Sequence, residues 1–482
     1  MISEKELAKL SYEGAPKIVT EIPGPKSKEL GAEVRKFEPP APRPAAREAS
    51  GAAAAPGAPA APAVSSAGAL ETGQPFWDEG RGATLKDVDG NVFIDLVAGV
   101  AVSSMGRVHP KVLEAVRTQS AKLMHGGNQS PIAVELAKKL ANIMPGGLRN
   151  HCFLSYTQGG SDAVETAIKY ARFATGKSQI IAFHRAYHGI WAGSLAMTAM
   201  MAENKARFGP LIPGVIHMPY AYCYRCFAGL KYPDCAMACA KYFDYKLNMP
   251  ATGADDVAAV FVEPFLGVGG YIHPAPEFLG MLKAACDKKG ILFVADEIQS
   301  GAGRTGKMWA IEHYGITPDM LIFGKGIGGD APMGGVAVSE DLSDKLPGAT
   351  GPNTFGRNAV SCAIAATNID LLTDEKMDLV GRVAQVGEEI KQRLIKETKD
   401  ISIVGEVRGM GFAIGIELVQ NRETRETLPR SNTTSITNKA RDRGILIRPG
   451  QLMPPLVITR EYLNKAIDVV LDVLREEAKS VK

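Results

Sequence analysis

Short apolar segments alternate with helical patterns through the middle of the chain, from about residue 110 onward. The segments NHCFLSY, QIIAFH, AAVFVEP, GILFVADE and DMLIFGK are each a few residues long and end in polar residues. Amphipathic stretches such as ELAKKLANIM and EFLGMLKAACDKKG lie among them. Strands that alternate with helices in this way form a mostly parallel sheet with helices on both faces. We therefore predict an α/β fold whose larger domain is built on such a sheet.

Changes in pattern divide the chain of 482 residues into four parts. Residues 1–36 are mixed and charged, and residues 37–73 are rich in alanine and proline, which is typical of a linker or surface loop because such a composition cannot bury a core. Residues 74–350 form the predicted large domain, which begins with a hairpin around Asp89. Residues 351–482 combine long helical patterns with the strand-like segment VRGMGFAIGIEL and form a predicted smaller α+β domain.

Charge and composition narrow the class of protein. The formal net charge of +3 gives no reason to expect binding to nucleic acid or to an acidic membrane surface. No apolar run approaches the roughly 18–20 residues that span a bilayer. The segment MISEKELAKLSYEG lacks the apolar core of a secretory signal. We therefore expect a cytoplasmic protein whose seven cysteines are reduced thiols.

Two predicted strands end in residues that are suited to pyridoxal phosphate chemistry. In open α/β sheets, ligands bind at the carboxyl ends of the strands. The strand in GILFVADE ends at Asp296, and the strand in DMLIFGK ends at Lys325, which lies between glycines. A lysine in such a crevice loses hydration, which lowers its pKa and makes the amine a nucleophile toward an aldehyde. A carboxylate can keep the pyridinium nitrogen of the same cofactor protonated. Asp296 and Lys325 are therefore the predicted catalytic residues.

A third strand runs into a glycine-rich turn that opens a helix, TQGGSDAVETAIKYAR. Backbone N–H groups at the start of a helix bind phosphate, and Gly159, Gly160 and Ser161 are placed for this role. The next strand leads to RAYHG, in which Tyr187 can lie against an aromatic ring. Each signal is common by itself, but their combination favours a pyridoxal phosphate site.

The segment ADEIQSGAGRTGKMWAIEHYGITPDMLIFGKGIGG is similar to the signature of the class III aminotransferases of fold type I, the family of ornithine, 4-aminobutyrate and other ω-amino acid aminotransferases. The resemblance runs from about Gly82 to the end of the chain. It implies a large domain with a mostly parallel seven-stranded sheet and a smaller α+β domain. It also implies that Lys325 carries pyridoxal 5'-phosphate as a Schiff base and that Asp296 pairs with the pyridinium nitrogen.

The same resemblance implies further contacts with the cofactor. Gln299 would contact the ring hydroxyl, Gly160 and Ser161 would hold the phosphate, and Tyr187 would stack on the ring. The turn before the helix reads Gln-Gly-Gly where the family usually has Asn-Ser-Gly, so one side-chain hydroxyl is lost. Thr354 matches a threonine that reaches the phosphate of the neighbouring subunit, which implies a homodimer or a dimer of dimers with sites at the interface.

Glu263 matches a site glutamate of the family, but the residues around the substrate depart from the family pattern. Leu266 and Val268 stand in an apolar replacement of the usual Gln-Gly-Glu. Many members have an arginine before LMPPL that binds a substrate carboxylate, whereas this chain has Gln451 there and Arg448 at a different spacing. This loss weakens the inference that 2-oxoglutarate is the amino acceptor.

The resemblance and these departures together predict an aminotransferase. It would move an amino group from a β- or ω-amino compound, free or derivatised, to a 2-oxo acid such as 2-oxoglutarate or pyruvate. A pyridoxal phosphate-dependent amino acid racemase or epimerase of the same family is the alternative, because the same cofactor residues support both reactions. A binding protein on an inactive fold is disfavoured because Lys325 and Asp296 are both present.

A second cluster of residues falls in a cysteine-rich insertion at about residues 221–247. Its spacing, C-x2-C-x8-C-x3-C, can close a structural zinc site, although four free structural thiols stay open as an alternative and two disulfides are less favoured. The four candidate metal ligands are Cys223, Cys226, Cys235 and Cys239. Two histidines near the predicted site, His109 and His188, are expected to be structural histidines with satisfied hydrogen bonds.

Overall fold

The computed structural model describes residues 1–38, 74–127, 129–200, 205, 208–346 and 353–481. Residues 39–73, which make up almost all of the predicted linker, lie outside the described residues. The strands of the described residues, in chain order, are β1 (Trp77–Arg81), β2 (Thr84–Asp87), β3 (Val92–Asp95), β4 (Cys152–Thr157), β5 (Gln179–Phe183), β6 (Val215–Met218), β7 (Val257–Val262), β8 (Leu292–Asp296), β9 (Met320–Phe323), β10 (Gly334–Ser339), β11 (Val404–Met410), β12 (Ala413–Leu418), β13 (Ile445–Leu446) and β14 (Gln451–Leu452).

The α-helices of the same residues begin and end close to capping residues and prolines. Ser130 caps the fifth helix and Pro131 opens it, while Gly176, with a φ of +66°, ends the sixth. The helices are α1 (Glu4–Ala8), α2 (Pro25–Val34), α3 (Ala98–Ala101), α4 (Pro110–Ser120), α5 (Pro131–Ile143), α6 (Gly160–Thr175), α7 (Ala192–Met197), α8 (Ala238–Asn248), α9 (Phe278–Lys289), α10 (Glu340–Ser343), α11 (Ala359–Thr373), α12 (Leu379–Glu397), α13 (Arg430–Asp442) and α14 (Arg460–Ala478). None of these helices is long and apolar enough to cross a membrane.

The large sheet has seven strands in the order β4-β10-β9-β8-β7-β5-β6, and β10 alone among them runs antiparallel to its neighbours. Every residue of β7 is buried. Alternate residues of β5 belong to separate apolar clusters, Ile180 to one and Ile181 to the other, so both faces of the sheet are covered. The predicted mostly parallel seven-stranded α/β sheet is therefore confirmed. Its strands are buried on both faces, and this is why the sequence shows continuous apolar runs.

The predicted hairpin is also present, with Leu85 of β2 opposite Phe93 of β3. Its turn is closed by Asp87, whose Oδ1 accepts hydrogen bonds from the backbone N–H groups of Asp89 and Asn91. Strand β3 then pairs in parallel with β13 near the end of the chain. The four-stranded sheet β1-β2-β3-β13 therefore joins the start of the predicted large domain to the C-terminal part, and the division of the chain at residue 351 stays a prediction.

The C-terminal part contains a three-stranded antiparallel sheet in the order β11-β12-β14. Helix α12 packs against this sheet, and α13 packs against α14. Helix α14 covers the predicted helical segment and is capped by Thr459, whose hydroxyl accepts from the N–H of Tyr462. This arrangement agrees with the predicted α+β character of the smaller part.

Candidate active site

Lys325 lies two residues beyond the end of β9, at the carboxyl edge of the large sheet. Its φ of +38° is in the left-handed region, which non-glycine residues seldom adopt and which is found most often at functional sites. Burial lowers the pKa of the Lys325 amine to about 8, although the nearby Asp296 and Glu263 carboxylates act in the opposite direction. About a tenth of this amine is therefore unprotonated and nucleophilic at pH 7, compared with well under a thousandth at its ordinary pKa.

Asp296 is the last residue of β8, which pairs in parallel with β9 so that Asp296 lies opposite Ile322. Asp296 and Lys325 therefore leave neighbouring strands at the same edge of the sheet. The Asp296 side chain is only 3% exposed. Its Oδ1 accepts a 3.1 Å hydrogen bond from the N–H of Ile298, and its Oδ2 lies 2.7 Å from Nδ1 of His188.

His188 is fully buried, and its Nε2 has no hydrogen-bond partner in the part of the chain that the structure describes. Its ring packs edge-on against Phe261, and its backbone N–H donates to Thr198 Oγ1. Burial opposes the charged imidazole, but the hydrogen bond and charge of Asp296 outweigh it and raise the pKa of His188. The expectation of a structural histidine with satisfied hydrogen bonds is wrong for His188, which instead holds the predicted catalytic carboxylate.

The predicted phosphate-binding turn opens α6 as expected. Helix α6 starts at Gly160, and no side chain of the described residues caps its N-terminus, so its first N–H groups can bind an anion. Ser161 Oγ accepts from the N–H of Ile190. Gly189 has a φ of +134°, and a Cβ there would lie 2.5 Å from Ser161 Oγ. This close approach brings the segment that carries Tyr187 and His188 against the turn.

Ile298 connects the phosphate turn to the two catalytic candidates. A Cβ at Gly160 would lie 2.9 Å from Ile298 Cδ1, and one at Gly324, next to Lys325, would lie 3.5 Å from Ile298 Cγ2. The backbone N–H of Ile298 also donates to Asp296. The start of α6 and the ends of β8 and β9 therefore surround one small region.

Glu263 forms hydrogen bonds with two segments of this region, the one that carries Tyr187 and the one that carries Gly267. Its Oε1 accepts from the N–H of Tyr187, and its Oε2 accepts from the N–H of Gly267, both at 2.9 Å. Burial raises the pKa of Glu263 to about 7. Tyr187 is half-buried, and its ring lies close enough to Arg448 and Glu263 for their charges to act on its hydroxyl.

Gln299 is buried, and neither its Oε1 nor its Nε2 has a hydrogen-bond partner within the described residues. A Cβ at Gly267 would lie only 1.8 Å from Gln299 Oε1, so the amide occupies the space beside this glycine. Burying an amide without partners is unfavourable by about 1–3 kcal/mol. This unpartnered amide fits a hydroxyl-bearing ring next to Asp296, and the residues present thus suit pyridoxal phosphate.

Thr354 is exposed and is not brought to the other candidates by this single chain. Its neighbour Asn353 accepts a 2.8 Å hydrogen bond from Nε2 of Gln158, just before the phosphate turn. The role of Thr354 across a dimer interface stays a prediction. His109, in contrast, is a structural histidine as expected, because its Nδ1 caps α4 by accepting from the N–H of Lys111.

The sequence spacing left open whether Arg448, in the C-terminal segment, lies near the site. Gln451 is buried, and its Nε2 lies 3.3 Å from the carbonyl oxygens of Gly267 and Val268. Arg448 makes no side-chain hydrogen bond or ion pair within the described residues, and its charge acts on Lys325 and Tyr187. The guanidinium therefore lies near the site, three positions before the place where the family carries its arginine.

The predicted metal site is not supported. No group of three or more Cys, His, Asp or Glu side chains in the described residues is arranged to hold a metal ion, and the thiols form no disulfide. Cys223, Cys226, Cys235 and Cys239, the four predicted ligands, therefore form no metal-holding group in the described residues. Tyr222 and Arg225 of the insertion bind Glu417 in the small sheet, and these contacts anchor the insertion.

Comparison with known proteins agrees with this geometry. The chain matches the family model described as Aminotransferase class-III over residues 68–474. It is 34% identical over 477 residues to 4-aminobutyrate aminotransferase from Mycobacterium leprae, covering 96% of this chain and 99% of that protein. It is 32% identical over 469 residues to alanine/serine racemase from Pyrococcus horikoshii, covering 94% and 92%. An (S)-enantioselective ω-transaminase from Thermomicrobium roseum has a TM-score of 0.77 at 30% identity, covering 85% of this chain and 93% of that chain.

Proposed function

The chain belongs to the class III aminotransferases, and we propose that it moves an amino group from a β- or ω-amino compound to a 2-oxo acid. It is a pyridoxal phosphate-dependent enzyme of this family. The observation that carries the proposal is the pair of neighbouring strand ends, with Asp296 on β8 and the amine of Lys325, whose pKa burial lowers, on β9.

When bound, pyridoxal phosphate supplies an aldehyde that bonds to primary amines and a protonated ring that accepts electrons from the adjacent carbon. In the proposed roles, the unprotonated amine of Lys325 anchors this aldehyde. The same amine would also act as the base and acid that moves a proton at the substrate carbon. Asp296 holds the ring nitrogen protonated, and His188 fixes the position of the Asp296 carboxylate through the 2.7 Å contact.

The remaining site residues are proposed to bind and orient. The free N–H groups at Gly160 and Ser161 hold the phosphate, since the positive end of α6 faces it. Tyr187 stacks on the ring, and the amide of Gln299 finds its missing partner in the ring hydroxyl. Glu263 would maintain the distance between Tyr187 and Gly267, because it accepts hydrogen bonds from both of their backbone N–H groups.

Arg448 supports a 2-oxo acid as the amino acceptor, because its guanidinium lies near Lys325, has no ion-pair partner among the described residues and suits a carboxylate. Leu266 and Val268 are buried beside Glu263 and give this part of the site an apolar wall. An apolar wall with one guanidinium favours donors that present an amine away from a carboxylate. This combination supports β- and ω-amino compounds as donors.

The racemase alternative has its own support, since relatives named alanine/serine racemase and isoleucine 2-epimerase (Lentilactobacillus buchneri) are 32% and 34% identical to this chain. The two reactions differ in their need for an acceptor. An aminotransferase releases one equivalent of carbonyl product from the donor amine alone and then requires a 2-oxo acid. A racemase exchanges the Cα proton of an amino acid in deuterated water without any 2-oxo acid.

The test uses holoenzyme with a panel of β-amino acids, ω-amino acids and α-amino acids. We expect stoichiometric release of a carbonyl product from β- or ω-amino compounds, followed by parallel-line kinetics when a 2-oxo acid is added. Conversion of one enantiomer of an α-amino acid into the other over multiple turnovers, with no acceptor present, would instead establish the racemase.

We also propose a homodimer in which Thr354 reaches the phosphate bound by the other subunit. The exposure of Thr354 and Phe355 beside Gln158 supports an interface at this place. Sedimentation velocity should show a dimer, and Thr354→Ala should weaken retention of the cofactor. A monomeric holoenzyme with full activity would contradict this proposal.

A further inference from the structure

An open cavity lies between the two parts of the protein, next to the candidate active site, and its roughly 700 Å³ of empty space includes the solvent at its mouth. Its walls come from the loops after β5, β6 and β7, from β11 and β12, from the segment between β13 and β14, and from the first turn of α13. We call it the arginine cavity because four arginines line it. Its charged and aromatic residues are Arg185, Arg225, Arg408, Arg430, Glu417 and Tyr222. None of the residues proposed to contact the cofactor lines it.

The one carboxylate on this wall is already engaged. Burial alone would raise the pKa of Glu417, but Arg408, Tyr222 and Arg225 lower it, so the group is ionised. Its oxygens lie 3.0 Å from Arg225 Nε and 2.8 Å from Arg408 Nη2, and one also accepts from the Tyr222 hydroxyl. Arg408 is paired in addition with Glu406. The positive charges of Arg225 and Arg408 are therefore balanced by the negative charges of the Glu417 and Glu406 carboxylates.

Arg185 and Arg430 are left without a carboxylate partner within the described residues. Arg185 donates only to the carbonyl oxygen of Gly269 and lies over the ring of Tyr222, and burial lowers the pKa of its guanidinium. Arg430 makes no side-chain hydrogen bond or ion pair in the same part of the chain. The cavity wall thus carries an excess of two positive charges, which is unfavourable without an anion because part of it is removed from water.

Two buried donor groups on the wall also lack partners. Nη2 of Arg225 and Oγ1 of Thr427 are inaccessible to solvent and make no hydrogen bond within the described residues. The thirteen-residue helix α13 begins here, with Arg430 and Thr433 on the wall, no acidic residue in its first turn and no side-chain cap. The unpartnered donors, the cations without a carboxylate partner and the start of the helix thus lie on one wall. Each of them is stabilised by a hydrogen-bond acceptor that carries negative charge.

We propose that the arginine cavity binds a small, multiply charged anion at a site separate from the cofactor. Phosphate esters and di- or tricarboxylates share the chemistry that this wall recognises, because both present several charged oxygens to guanidinium forks. The Gly267–Gly270 loop connects the cavity to the site, since Gly269 and Gly270 line the cavity while the N–H of Gly267 binds Glu263. A bound anion would therefore steady the loop that positions Glu263.

The test measures anion binding by calorimetry on holoenzyme that has been desalted to remove free cofactor. Inorganic pyrophosphate and citrate are titrated separately, with sodium chloride at matched ionic strength as reference. Two variants address the wall: Arg430→Gln removes an exposed, unpaired guanidinium, and Thr427→Val removes an unpartnered hydroxyl with little change of shape. Arg443→Gln, at the other end of α13, removes the same charge outside the cavity and is the matched control.

We expect saturable binding of pyrophosphate, citrate or both, and the stronger of the two identifies the phosphate or carboxylate source. Arg430→Gln should weaken it roughly tenfold or more, whereas Arg443→Gln should leave it unchanged. Thr427→Val should raise the melting temperature without anion and reduce the stabilisation that the anion gives. No binding beyond chloride, or equal weakening by both arginine variants, would overturn the proposal. Because turnover is not measured, neither outcome depends on the aminotransferase activity.

Discussion

Replacing His188 tests its contact with Asp296, which the sequence did not predict. His188 Nδ1 lies 2.7 Å from Asp296 Oδ2, and both side chains are almost completely buried. Leucine at position 188 would fill a similar volume but remove the donor. Asp296 would then keep only the 3.1 Å hydrogen bond from the N–H of Ile298.

The size of the effect follows from the kind of hydrogen bond that is lost. A hydrogen bond to a charged, buried group contributes about 1.5–3 kcal/mol. If His188 acts by holding Asp296 in place, this energy is lost from the transition state. The value of kcat/KM for His188→Leu should therefore fall roughly 10- to 150-fold, since 1.4 kcal/mol corresponds to about one factor of ten.

The assay is steady-state transamination with cofactor in excess, together with a melting temperature for each variant. His188→Asn should recover part of the activity, because its amide can donate to Asp296 from a similar position. His217→Leu is the control, since His217 contacts the carbonyl oxygen of Met197 at 3.0 Å and not Asp296. Wild-type activity in a folded His188→Leu enzyme would refute the positioning role.

Three further perturbations follow from the structure. Arg448→Gln should lower kcat/KM for a 2-oxo acid roughly 10- to 150-fold while leaving the half-reaction with a donor that lacks a carboxylate unchanged, and equal effects on both would contradict carboxylate binding by Arg448. Burial raises the pKa of Glu297 from 4.5 to about 7, so the folded protein keeps a proton that the unfolded chain has released between these values. Its stability relative to Glu297→Gln should therefore fall as pH rises through this window, by up to about 1.4 kcal/mol per pH unit in denaturant unfolding, and parallel pH curves would exclude this. Gly267→Ala places a Cβ 1.8 Å from Gln299 Oε1 and should weaken cofactor retention about 2- to 10-fold, whereas Gly280→Ala, with open space around it, should not.

The sheet and the strand ends that carry the two predicted catalytic residues could both be predicted from the sequence. Strands buried on both faces need unbroken apolar runs, and such runs ended at Asp296 and Lys325. The capping signals were equally local, as Ser130 before α5 shows. These features were predictable because each depends on residues that are close together in the chain.

Contacts between distant residues were not predictable in the same way. His188 and Asp296 are 108 positions apart, and only the pairing of β5, β7 and β8 brings them together. Arg448 reaches the site because the chain reverses between it and Gln451, a bridge that spacing alone does not reveal. Strand β13 consists of two residues, too few for a periodic signal, although it completes the sheet with β3.

The cysteine spacing predicted a metal site that the described residues do not show. A metal requires ligands held at a fixed geometry, and no group of side chains in the described residues has such an arrangement. The insertion is instead fastened by charged contacts from Arg225 to Glu417 and by a cation–π contact of Arg408 with Tyr222. Spacing within a sequence does not show which contacts anchor the segment.

Lys325, next to Asp296, is proposed to hold the cofactor. This role is tested most directly by reduction of the purified holoenzyme with borohydride, followed by digestion and peptide mass spectrometry. We expect one phosphopyridoxyl adduct per chain, on Lys325, and no adduct in Lys325→Ala. An adduct on another lysine, or a protein that binds no pyridoxal phosphate, would refute this role.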